Sequence, residues 1–308
     1  MFRYFSAALL ALLLMLPEQM VFAQDASRSA SCLKCHDSES MPDMSRSAHA
    51  FAADKRTPDC VSCHGPSPTH VRKPAGVSER PKPDFTFGKT SANIHSASER
   101  SQVCLSCHDG GASRAMWTTS QHASADLACD SCHKVHSNHD KVVDKLTQAD
   151  SCYSCHTSQR SQMMRPAHHP VPEGKMTCSD CHNVHGSAGA KLAKADSINA
   201  TCYSCHVEKR GPLVHQHEPV VDDCVSCHAP HGSNVSGMLV SRVPMLCKQC
   251  HTAHAEGGLG LIGGQAGSAM TAATPGRNAI NMWQGRSCLN CHTQIHGTNN
   301  PASRYLMQ

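Results

Sequence analysis

The sequence predicts a mostly irregular chain with short α-helices and little or no β-structure, arranged as an elongated array of five repeated modules. Three observations carry that fold class. Beyond an N-terminal leader, Leu, Ile, Val and Phe make up about 13% of the residues, under the roughly 20% below which chains tend toward disorder. The 308 residues nonetheless contain 20 Cys and 24 His. Those Cys and His recur at one local spacing, and that spacing recurs in pairs along the chain. So few aliphatic and aromatic side chains cannot offset the conformational entropy of folding. Something other than side chains must fill the interior.

Residues 1–23 read as a signal peptide. Arg3 supplies a positive start, Phe5 to Leu16 is an apolar run, and Val21-Phe22-Ala23 places small residues where a signal peptidase reads. The run is shorter than the roughly 20 apolar residues of a membrane-spanning helix. No Cys follows the cleavage point, which argues against a lipid anchor. The expectation is an exported chain, residues 24–308, that is soluble when taken alone.

Every cysteine belongs to a Cys-x-x-Cys-His pentad. The first five are Cys32, Cys35 and His36; Cys60, Cys63 and His64; Cys104, Cys107 and His108; Cys129, Cys132 and His133; and Cys152, Cys155 and His156. The second five are Cys178, Cys181 and His182; Cys202, Cys205 and His206; Cys224, Cys227 and His228; Cys247, Cys250 and His251; and Cys288, Cys291 and His292. This is the attachment signature of c-type haem. Two thiols three residues apart reach the two vinyl groups of one porphyrin, and the adjacent His is delivered to the iron as proximal ligand. Zinc ribbons and redox disulfides also use Cys-x-x-Cys, but neither chemistry needs a His directly after the second Cys. The chain thus reads as a multihaem cytochrome c with ten covalently bound haems.

The pentads come in pairs, each with a His between them and a His after the second. The resulting dihaem modules cover about 32–70, 104–136, 152–185, 202–231 and 247–296. A tandem repeat of this kind predicts a quasi-linear array. Fourteen histidines lie outside the pentads, 24 less 10, enough to give every iron a second imidazole. The expected distal set is His49, His70, His122, His136, His169, His185, His217, His231, His254 and His296. His95, His139, His168 and His215 remain as spares, exposed or bonded to propionates. Met is the rival sixth ligand and would raise the potential, but Met positions do not recur with the module. Ligation by two His at every iron implies low potentials and no open coordination position.

In three modules a His follows the proximal His by three residues, as His136 follows His133, His185 follows His182 and His231 follows His228. One axial face is already occupied, and so short a tether cannot round the porphyrin edge. Such a His must serve a neighbouring haem, which ties the haems together through the chain. Short helical turns are expected after many pentads. Val71–Val103, with Pro74, Pro81 and Pro83, is a candidate linker, and 257–276, with seven glycines, a candidate surface loop. Trp117 and Trp283 are expected to pack on haem faces.

The formal charge of +4 counts side chains only. Ten haems would add about twenty propionates against about one positive charge per oxidised iron, leaving the holoprotein acidic. No basic patch interleaved with aromatics is present, so no nucleic-acid partner is expected.

The chain resembles the decahaem cytochromes of outer-membrane porin–cytochrome conduits, the MtrA and DmsE type. The likeness covers essentially all of 24–308. It extends beyond the pentads to FTFGK from Phe85, MTCSDCHNVHG from Met176, TCYSCHVEKRGP from Thr201, CVSCHAPHGS from Cys224 and GRSCLNCHTQIHG from Gly285. The resemblance implies ligation by two His at all ten haems, with His122, His169 and His217 where the family's distal ligands sit and no counterpart for His95. It implies an electron-transfer protein, not an enzyme, located in the periplasm and inserted in an outer-membrane β-barrel porin. Its partners would be that porin, an outer-face multihaem cytochrome or terminal reductase, and a periplasmic or inner-membrane electron donor or acceptor. Length is compatible, since even a globule of this size, about 19 Å in radius of gyration, exceeds the roughly 25 Å apolar band of such a barrel. A freely diffusing periplasmic carrier and a multihaem oxidoreductase are the alternative readings, the latter requiring an iron with a vacant sixth position.

Overall fold

Cys-x-x-Cys places two thiols three residues apart, and one turn of helix puts such positions on the same face. In the computed structural model that is what the pentads do. It describes residues 29–36, 41, 46–49, 57–88, 95–251, 288–303 and 306. Second pentads sit in one-turn α-helices at Cys60–His64, Cys129–Cys132, Cys178–Cys181 and Cys288–Cys291, and in a 3₁₀ turn at Cys224–Ser226. First pentads are approached by a helix from upstream, as in Ala97–His108, Gln148–Tyr153, Ile198–Tyr203 and Met245–Lys248. The helices therefore lie mainly on the pentads, where the sequence reading put them after. Helical turns following a pentad occur as well, at Pro68–Val71, Thr157–Met163 and Val207–Lys209.

Local chemistry starts these short helices. Ser96 and Glu99 form a reciprocal capping box, with Glu99 N donating to Ser96 Oγ over 3.2 Å and Ser96 N to Glu99 Oε2 over 2.7 Å. Asp59 accepts from Ser62 N over 2.6 Å, and Ser197 from Ala200 N over 3.0 Å. Among the described residues there is no strand, only isolated bridges such as His182–Ala193 and His228–Leu239.

The backbone divides into two compact units, Met1–Ser151 and Cys152–Gln308. The first carries the pentads from Cys32 to Cys129 and the second those from Cys152 to Cys288. Among the described residues neither has a conventional core. The buried apolar residues among those described are Ala97, Trp117, Ala128, Tyr153, Met163, Val171, Leu192 and Ala193. Large apolar side chains lie open instead, Leu146 at 75% and Val143 at 68% exposure. The scarcity read from composition is thus a scarcity of core, which is expected where haems supply the interior.

Residues 81–88 do not behave as a free linker. Asp84 Oδ2 accepts from Ser67 N over 2.7 Å, and Gly88 N donates to Asp130 Oδ2 over 2.6 Å. Asp130 also binds Arg100 Nε at 3.2 Å, both side chains being largely buried. Trp117 is buried beside the helix Ala97–His108, lining one cleft with Gln102 and Leu105. Trp283 and the glycine-rich 257–276 lie outside the described residues.

Candidate haem-attachment and ligation sites

The attachment thiols are arranged in two kinds of neighbour. Cys32 lies beside Cys60, Cys104 beside Cys129, Cys152 beside Cys178, Cys202 beside Cys224, and Cys247 beside Cys288. Each is the first Cys of the two pentads within one module. Between modules the second cysteines approach: Cys63 is within electrostatic reach of Cys107, Cys181 of Cys205, and Cys227 of Cys250. Within each unit, successive pentads in the sequence are therefore successive neighbours in space. As free thiols these pairs perturb one another. The bond from Cys104 draws Cys129 down to about 6, while burial, then the charge of Cys224, pushes Cys202 up to about 12. None of the nineteen cysteines from Cys32 to Cys288 is in a disulfide.

The histidines face each other in pairs. His36 faces His70, His49 faces His108, and His64 faces His136 in the first unit. In the second, His169 faces His206, His182 faces His231, His217 faces His251, and His228 faces His296. Ring centroids are 5.9 to 6.3 Å apart. Two imidazoles on one metal, each through a bond of about 2 Å, have centroids about 6 Å apart. Direct stacking brings rings closer, as Phe85 and His95 show at 4.0 Å. Every one of these pairs joins one pentad His to one His outside the pentads, and no His is used twice.

Hydrogen bonds orient the rings. Nδ1 donates to a backbone carbonyl in His64 (Phe85 O, 3.0 Å), His70 (Pro81 O, 2.7 Å), His169 (Pro230 O, 2.8 Å), His182 (Lys191 O, 2.9 Å), His217 (Ile295 O, 3.1 Å) and His228 (Gly237 O, 2.8 Å). A carbonyl on Nδ1 fixes the tautomer and leaves the Nε2 lone pair for a metal. The spare histidines commit Nε2 to protein atoms instead: His95 to Asp84 O, His139 to Thr147 Oγ1, His168 to Glu173 Oε1, and His215 to Pro301 O. Burial foremost, then neighbouring positive charge, holds His49, His136, His231 and His296 below the usual imidazole pKa. That keeps them neutral, the form that ligates metal.

Two loops build this orientation in the same way. After His182 and after His228 the chain returns nine residues later to offer a carbonyl to Nδ1. The turn that aims it runs through left-handed backbone, Lys191 and Leu192 at φ 57° and 60°, Gly237 and Met238 at 69° and 55°. For L-residues this costs roughly 1–2 kcal/mol each, so the loop holds a conformation its sequence alone disfavours. A glycine after the last His of a module sits at positive φ in Gly186 (119°), Gly232 (141°) and Gly297 (109°). The recurring His-Gly pair was the sequence signal for these loops, and reading only Cys and His passes over it.

Other expected ligands have local placements. His122 lies in the helix Gln121–Ser124, His156 precedes the helix Thr157–Met163, and His292 follows Cys291 at the end of Cys288–Cys291. His133 donates to Asp140, and the His185 amide donates to Asn183 Oδ1 over 3.3 Å. His254 lies outside the described residues. His136 faces His64, not its sequence neighbour His133, as the short tether requires.

The residues fit a haem at the seven pentads of His36, His64, His108, His182, His206, His228 and His251: two thiols and an opposed imidazole pair at metal-spanning distance, with one Nδ1 already engaged in six of the seven pairs. Among the described residues no three His, Cys, Asp or Glu side chains converge as a zinc site demands. No described helix is long and apolar enough to cross a membrane.

Comparison with known proteins gives the same chemistry. A family model described as "Doubled CXXCH motif" matches 168–211 and 217–256, and one described as "Cytochrome c-type protein NrfB-like" matches 60–145. Over 283 residues, 90% of this chain and 80% of the relative, the sequence is 42% identical to the Multiheme cytochrome MtrA of Shewanella baltica (strain OS185). With opposed histidines built around its pentads and that identity over nearly its whole length, the chain belongs to the MtrA family of multihaem c-type cytochromes.

Proposed function

We propose that this chain is an electron wire of ten haems, each held by two His, that carries electrons across the outer membrane inside a porin sheath. Multihaem c-type cytochromes of this family transfer electrons through covalent haem. The observation supporting the wire is the order of the sites. Within each unit, pentads that follow in sequence are neighbours in space, and their His pairs lock one module to the next. Such interlocking is what a single file of haems needs. We assign covalent attachment to all twenty cysteines, proximal ligation to the ten pentad histidines and distal ligation to the ten expected above. Each faced pair fills both axial positions and leaves no place for substrate on the metal, which favours transfer over catalysis.

We place 24–308 in the periplasm after loss of the leader, as five dihaem modules in one decahaem unit. A polar surface cannot meet lipid directly, so a chain that crosses the membrane requires a sheath, here a β-barrel porin. A donor or acceptor on the periplasmic side and an outer-face cytochrome or reductase complete the path. The test is reconstitution. The detergent-solubilised protein should co-purify with a barrel protein, and liposomes carrying both should pass electrons to an enclosed acceptor. If the protein is released by osmotic shock with no barrel attached, and liposomes gain no flux from it, it is a diffusing carrier.

A further inference from the structure

The pentad histidines with a described backbone acceptor, His64, His182 and His228, each lean through Nδ1 on a carbonyl oxygen. His133, in the equivalent second pentad of its module, does not. Its Nδ1 donates over 2.7 Å to Oδ2 of Asp140, a carboxylate. The acceptor is held in place, since Asp140 Oδ1 receives Lys134 N at 3.4 Å, while the Lys134 ammonium is directed to Asp130 O at 3.0 Å. Among the described residues no Lys or Arg forms an ion pair with Asp140, whose side chain is 22% exposed. The loop also departs from its counterparts: Ser137 stands where Gly186 and Gly232 follow the last His, and Asp140 lies seven residues beyond His133, not nine.

A carboxylate pulls harder on an Nδ1 proton than a neutral carbonyl does. The imidazole gains anionic character and becomes a stronger donor to its metal, which favours the oxidised ion. We propose that Asp140 is a positioning residue that lowers the potential of the haem attached at Cys129 and Cys132. That haem is thereby set apart from those whose proximal His leans on backbone. The inference rests on the haem reading above and adds to it a built-in step in the redox profile at the fourth attachment site.

The experiment uses the holoprotein and two variants, Asp140→Asn and Asp144→Asn. Asn can still accept from Nδ1 but carries no charge. Asp144 is an acid of the same loop whose carboxylate approaches His139 at 3.8 Å. Haem content by pyridine haemochrome, and peptide mapping of the Cys129–Cys132 segment, come first. Potentiometric titration followed by paramagnetic resonance of the ferric signals then reads individual haems. In D140N one haem of the set should favour the reduced state about tenfold more at a given potential, a shift of about 59 mV for one electron. D144N should titrate like the parent. A D140N protein with full haem content and an unchanged titration overturns the proposal. So does an equal shift in D144N, which would make the effect one of loop charge, or loss of that haem in D140N, which would make Asp140 a requirement for attachment. An Asp140→Glu variant retains the carboxylate and should stay near the parent; a shift as large as that of D140N would also overturn it. Absence of haem from the parent's Cys129–Cys132 peptide would instead contradict the underlying haem assignment.

Discussion

His168 and His169 are adjacent, yet replacing them with Ala should have opposite consequences. His169 faces His206 at 6.3 Å and is oriented by Pro230 O, 61 residues away. His168 has both ring nitrogens engaged, with Arg165 O and with Glu173 Oε1, the latter at 3.0 Å. Removing His169 takes away one axial ligand of one haem, so about one tenth of the total haem should turn high-spin. Its partner His206 would remain as the sole strong axial ligand, and the reduced form of that haem should bind carbon monoxide. Removing His168 takes away a water-screened contact to an exposed carboxylate, and the high-spin fraction should stay at the parent level. The assay is quantitative paramagnetic resonance of the ferric protein, with carbon monoxide difference spectra of the reduced protein normalised to total haem. High-spin haem in H168A but not H169A would reverse the assignment. No change in either would refute the argument that opposed rings 6 Å apart mark an axial pair.

Further outcomes follow from the same geometry. His185→Met keeps a ligand but should raise one haem's potential; at about 59 mV per tenfold for one electron, a rise of about 200 mV gives a trap of roughly three orders of magnitude in a single file, visible as slowed transmembrane flux. Arg100→Met leaves the buried Asp130 carboxylate without its cationic partner, with only Gly88 N among the described residues still donating to it, and should destabilise the first unit by about 3 kcal/mol, read as earlier loss of proteolytic resistance in 57–132. Gly232→Ala forces a Cβ to within 2.2 Å of Gln162 O at φ 141°, and should cost roughly 1–3 kcal/mol in backbone strain with disturbance of the His231 site in optical spectra. Expressed without haem attachment, the chain should show disordered circular dichroism and rapid proteolysis; a compact, resistant apoprotein would show that side chains suffice as a core.

The repeat made much of this legible. Cys and His recur because attachment and ligation demand them, so the pentads, the modules and the near absence of a core follow from residues alone. The short tethers from His133 to His136 and from His228 to His231 also pointed to rings that face a His of another module, His64 and His182. Which module supplies which partner was not legible, because it depends on how loops return. His49 reaches His108, and His64 reaches His136, across stretches with no shared motif. The choice between neighbouring histidines depends on second contacts, Glu173 for His168 and Pro301 for His215. Residues 81–88 looked like a proline-marked linker because, apart from the Asp84 carboxylate on Ser67 N, their contacts to the histidines are made by backbone carbonyls, Pro81 O and Phe85 O, which any side chain could accompany.

The central claim is the order of the haems, and iron positions in the holoprotein, located by anomalous scattering at the iron edge, test it most directly. The account predicts ten irons, with those of the first four and of the last six pentads each succeeding one another in chain order, and every iron between one pentad His and one His from outside the pentads. A branched arrangement, or an iron bound on one face only, would contradict it.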